Sequence, residues 1–149
     1  MHPFPHRYSV QTQVRPAGDV LLESAGVDAL RTAKPVEFDG PGDLWSPETL
    51  LVGAVIDCYV ITFRGIAAAS KLPWVALACE VDGTLDRVDR VTRFTHITVR
   101  ARLQVPPEAN VDQARRILQR AEETCLITRS LSAETTLDAE VDVLAPVMS

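Results

Sequence analysis

At 149 residues the chain is long enough for one domain with one core. Apolar residues make up 46% and charged residues 23%, the balance of an ordinary globular protein. The net charge of −5 argues against a nucleic-acid surface, which needs clustered Lys and Arg.

Residues 1–7 open a segment, Met1 to Tyr8, that reads MHPFPHRY, with no apolar stretch and no small-residue cleavage site, so a flexible N-terminal segment is expected rather than a signal peptide. The cytoplasm is then the default location, and a disulfide there would be transient and catalytic. Tyr8 to Val14 alternates loosely and ends in the turn Arg15-Pro-Ala-Gly18; Asp19 to Glu23 resumes as a second strand, which makes a hairpin. Asp28 to Phe38 reads as a third extended segment, followed by a loop at Asp39-Gly-Pro-Gly42.

A strong helix start comes next. Ser46 can cap, Pro47 suits the first helical position, and Glu48 favours the positive end of the helix dipole. The helix is expected from Pro47 to Lys71, because Pro73 forbids continuation. It is apolar nearly all round, which predicts enclosure on every side, with a partner subunit supplying part of the cover. Its run from Leu50 to Ala69 is long enough to span a membrane, but Asp57 and Arg64 inside it would each cost about 2.5–3.5 kcal/mol near a bilayer centre. A buried central helix is the better reading.

Strands are expected at Trp74 to Asp86 and at Val91 to Val105, where Pro106-Pro107 breaks the second. Val111 to Leu131 reads as a second helix, with Val111, Ala114, Leu118, Ala121 and Cys125 on one face, and Thr135 to Leu144 as a last strand. The order β-β-β-α-β-β-α-β predicts a single α+β domain over residues 1–149.

The chain has three cysteines, too few for a stapled scaffold and without zinc spacing. His2 and His6 lie in the Pro-rich N-terminus, and neither a metal nor a cofactor is expected. Cys58 lies midway along the first helix and Cys125 on the apolar face of the second. Each alone reads as a small core hydrophobe. Together they open a second reading, because two core helices in a small domain pack against each other. Cys79, on a strand without polar company, reads as structural. Asp57 adjoins Cys58 in sequence but points about 100° away on a helix, towards a hydroxyl or a subunit boundary.

Ser46-Pro-Glu-Thr-Leu-Leu51, with Cys58 ten residues after Glu48, resembles the central helix of the OsmC/Ohr family, that is, osmotically inducible protein C and the organic hydroperoxide resistance proteins. Cys125 with Ser130-Leu131 is similar to that family's second cysteine segment, and Phe94-Thr95 and Ile97 fit the strand between. The resemblance runs from about Tyr8 to Leu144. It implies an intertwined homodimer that reduces organic hydroperoxides, with no resident cofactor and a dithiol or lipoyl-type reductant. Cys58 would be the peroxidatic thiol and Cys125 the resolving one, joined in a transient disulfide. Glu48 matches the family's Glu, and Arg15 its activating Arg, with Arg31 a weaker alternative. Three features depart from the pattern. Glu37 precedes Phe38 where some members have Arg, Leu126 follows Cys125 where several have Pro, and Phe38 to Ser46, with Trp45, matches no well-characterised subgroup. They leave open a member that binds apolar ligands or responds to redox state without peroxidase activity. Glu48 and Cys58 of one chain cannot share a site unless their helix breaks, so Glu48 is expected to serve the partner's cysteine.

Overall fold

A computed structural model of the chain describes residues 1–146. It is an α+β structure of two compact units, Met1–Leu51 and Val52–Ser149.

The first unit carries a short antiparallel pair, β1 (Val20–Leu22) and β2 (Leu30–Thr32), with Leu21 opposite Arg31. Asp19 holds Arg31 at 2.6 Å, so this arginine already has a carboxylate partner. The segment expected as a first strand, Tyr8 to Val14, forms a single bridge between Gln11 and Glu23. One bridge is all it makes because its side chains are exposed throughout and no apolar face holds it in register. The third expected segment is extended only through β2, and Val36–Phe38 then turns as a 3-10 helix.

Helix α1 (Pro47–Ala69) begins as the sequence predicts. The Ser46 hydroxyl accepts from the Thr49 N–H at 3.1 Å, and the Thr49 hydroxyl accepts from the Ser46 N–H at 2.9 Å. This reciprocal cap satisfies two donors at the helix start. The helix stops at Ala69, slightly before Lys71, which takes a left-handed φ of 55°.

The second unit is built on a three-stranded sheet in the order β3 (Ala76–Val88), β4 (Val91–Val105), β5 (Glu134–Val143). The first pair is antiparallel and the second parallel. The parallel pairing requires a crossover, made by α2 (Val111–Glu123) and the one-turn helix α3 (Leu126–Arg129). Strand β4 occupies the centre and alternates cleanly. Ile97, Val99, Ala101, Leu103 and Val105 are buried. On the other face Arg100 pairs with Asp82 of β3, and Arg102 pairs with Glu140 of β5 at 2.7 Å.

The core joins that inner face to one stripe of α1 (Val55, Tyr59, Phe63, Ala67) and one of α2 (Ala114, Ile117, Leu118, Ala121). The α1 stripe repeats every four residues, as a helix face does. Phe63 meets Trp74 edge-on at 5.2 Å, and Gly83 lets the sheet approach closely, since a Cβ there would lie 2.9 Å from both Val52 and Phe94. The enclosure expected for α1 is thus supplied by this chain along that stripe, while Ile61 is 58% exposed. By length and composition α1 could cross a membrane, but its buried stripe belongs to the core shared with β4 and α2.

Candidate functional site

Cys58 stands on α1 one residue before the buried Tyr59, so its side chain leaves the core stripe and reaches the site where α2 ends. The second helix does not run unbroken to Leu131. It ends at Glu123, and Thr124 folds its hydroxyl onto the Arg120 carbonyl at 2.7 Å. Cys125 follows with extended backbone (φ −63°, ψ 110°) as the residue capping α3. The expectation that Cys125 sits on a continuous helix face is corrected here: it occupies the kink between two helices. Periodicity missed the break because Cys125 still points inward, 1% exposed, while Leu126 swings out to 65% exposed.

The kink is fastened at its carbonyl. Cys125 O accepts from the Thr128 hydroxyl at 3.0 Å and from the Arg129 N–H at 3.1 Å. This turns the start of α3 towards α1 and brings the Cys125 thiol to the Cys58 sulfur. Both are free thiols. The sequence-predicted cysteines therefore meet across 67 positions of chain.

Their environments push their acidities apart. Burial raises the Cys58 pKa, but donors around the sulfur outweigh it: the Ile127 N–H, the Cys125 thiol, the Thr62 hydroxyl and the Leu126 N–H. The net result lies below the ordinary thiol value, because hydrogen bonds to the charged form favour it. The Thr62 oxygen is 3.9 Å from the sulfur. Cys125 goes the other way. Burial raises it most, the Thr128 N–H and hydroxyl pull it down, and its hydrogen bond to Cys58 and the charge there raise it further. Of the two, Cys58 is therefore the more acidic thiol. Cys79, on β3 opposite Ala101, has no such donors, and burial pushes it up to about 11. Tyr59 beneath the pair is also raised, by burial first and then by Cys79, Glu122 and Cys125; its hydroxyl donates to the Leu118 carbonyl at 3.1 Å.

Glu48 lies in the first turn of α1, and its Oε1 is buried without a hydrogen-bond partner among the described residues. The helix from Glu48 to Cys58 is unbroken, which places them about 15 Å apart along its axis. Arg15 is exposed in the segment before β1 and makes no ion pair among the described residues. Asp57, next to Cys58 in sequence, is exposed. The sequence reading missed Thr62, Thr128 and the N–H groups of residues 126–127. The two threonines had a usable signal, lying four positions after Cys58 and three after Cys125.

A family model described as OsmC-like protein matches residues 40–140, which include both cysteines. The chain belongs to the OsmC-like protein family. A curated relative, the uncharacterized protein YmaD of Bacillus subtilis strain 168, is 30% identical over 112 residues, covering 73% of this chain and 75% of YmaD. Solved OsmC-like structures share the fold at low identity. An OsmC-like protein of unknown function from Vibrio cholerae O1 biovar eltor superposes with a TM-score of 0.78 at 14% identity, covering 94% of this chain and all of that one. An organic hydroperoxide resistance protein from Elizabethkingia anophelis gives 0.75 at 13%, with 93% and 100% covered. One from Legionella pneumophila, also described as a predicted redox protein, gives 0.71 at 18%, again with 93% and 100% covered.

Proposed function

We propose that this OsmC-like protein is a thiol-dependent peroxidase that reduces organic hydroperoxides to alcohols. The observation that carries the reading is two neighbouring cysteines whose surroundings push them apart: donors lower the Cys58 pKa, and burial raises that of Cys125. A thiolate is the nucleophile. The Cys58 sulfur attacks the terminal peroxide oxygen, the O–O bond breaks, and the alkoxide leaves and takes a proton to become the alcohol. Cys58 is then a sulfenic acid. The Cys125 sulfur displaces the hydroxyl as water and closes a disulfide. An external dithiol, of lipoyl type on this reading, restores both thiols by exchange. Polarity set by N–H and hydroxyl donors requires no cofactor. The names of the Elizabethkingia and Legionella neighbours point to the same substrate class.

The working protein on this reading is a cytoplasmic homodimer. A second copy covers the side of α1 that carries the exposed Ile61. Glu48 serves the partner's Cys58, since the unbroken helix separates it from its own. The unpartnered Glu48 oxygen favours a guanidinium neighbour, and Arg15 is the family-matched choice.

A coupled assay with several hydroperoxides and both small and lipoyl-type dithiols tests the activity. Cys58→Ser should abolish hydroperoxide reduction, and Cys125→Ser should complete one turnover and stall. Normal activity in Cys58→Ser, or no first turnover in Cys125→Ser, overturns the roles. A chain that binds apolar ligands and leaves every peroxide intact is a binder instead.

A further inference from the structure

Hydroxyl side chains inside or at the end of a helix ordinarily return to a backbone carbonyl three or four residues back. Those around this site do so. Thr124 donates to Arg120 O at 2.7 Å, Thr128 to Cys125 O at 3.0 Å, and Ser130 to Leu126 O at 2.8 Å. Thr62 is the exception. It lies in the middle of α1, where the Cys58 carbonyl is in reach, yet its oxygen is turned to the Cys58 sulfur at 3.9 Å and has no other partner among the described residues. Spacing of four places the two side chains on one helix face.

We propose that Thr62 is a catalytic residue of this site, whose hydroxyl donates a hydrogen bond to the Cys58 sulfur and holds it as the attacking nucleophile. This deepens the peroxidase reading and rests on it for the word catalytic. A hydroxyl suits the position because it is neutral. It adds a donor without adding a second ionisable group beside Cys125, the thiol that faces Cys58 from the α2–α3 kink. Asp57 on the same helix is exposed, and Glu122 on α2 stands by Tyr59 rather than the sulfur. The burial that raises a thiol pKa is therefore offset on the α1 side by Thr62 and on the opposite side by residues 125–127.

The test is the pH dependence of Cys58 alkylation by iodoacetamide, followed by peptide mass so that all three thiols are read separately. Thr62→Val keeps the side-chain outline and removes the donor. It should raise the Cys58 midpoint by about one pH unit, the effect of one hydrogen bond to a charged group. Thr62→Ser should restore the wild-type midpoint. Thr62→Ala, which leaves a small gap instead of a methyl, should shift it as Val does and guards against a packing artefact or a variant that does not fold. An unchanged midpoint in Val and Ala, or Ser behaving as they do, overturns the assignment. No peroxide is present, so a chain without peroxidase activity would still return the shift.

Discussion

The disulfide between Cys58 and Cys125 would tie α1 to the crossover between β4 and β5, and its thermodynamic weight follows from the chain between them. It closes a loop of about 70 residues, for which denatured-state entropy predicts about 4 kcal/mol of stabilisation. Native strain on closing the bond subtracts from that figure. For a chain of this length, about 4 kcal/mol corresponds to a rise in Tm on the order of 10 °C. The perturbation is one equivalent of an organic hydroperoxide added to reduced protein, and the assay is calorimetry before and after, then again with excess dithiol. Wild type and Cys79→Ser should show the rise and its reversal. Cys58→Ser and Cys125→Ser should show neither. A rise that persists in Cys58→Ser, or one that disappears in Cys79→Ser, would refute the pairing.

Burial keeps Cys79 protonated in the folded chain up to about pH 11, whereas unfolded chains lose that proton near the ordinary value. The native state then holds more protons, so stability should fall as pH rises from about 9 to 11, and Tm against pH should fall less steeply in Cys79→Ala. Light scattering at micromolar concentration should give a dimer; a fully active monomer would remove the partner from the site. Arg15→Ala should raise the Cys58 alkylation midpoint towards about 8.5 and Glu48→Ala should do so more weakly. Mixed dimers of Cys58→Ser and Glu48→Ala chains should regain one normal site if Glu48 acts across subunits, because the intact Cys58 then meets the intact Glu48, and failure to recover would place both residues in one chain.

Much of this fold is legible locally. The start of α1 is written in Ser46-Pro-Glu, and β4 runs from Val91 to Val105 at both expected ends, because alternation and a double proline bound it. What misled was periodicity across irregular backbone. The inward series Ala114, Leu118, Ala121, Cys125 continues through a kink marked by the extended backbone of Cys125 and the turned-back Thr124 hydroxyl. Tyr8 to Val14 has strand-like residues, but strand formation needs a neighbour and a buried face, and neither is a property of seven residues. The cysteine pair was reachable from two inward faces and a family likeness. Its acidity was not, because the donors include main-chain N–H groups of residues 126–127, which no side-chain pattern encodes.

The parallel placement of β5 beside β4 makes the Cys125 segment part of a crossover that only the last strand closes. A chain made from its N-terminus presents Cys58 and Cys79 well before Cys125, and Cys125 takes its place only once the crossover has been closed by β5, close to the end of synthesis. Cys79, by contrast, lies on the antiparallel hairpin β3–β4, which is built from adjacent chain and sets it opposite Ala101. The third cysteine thus lies on a hairpin of adjacent chain, apart from the crossover that carries Cys125.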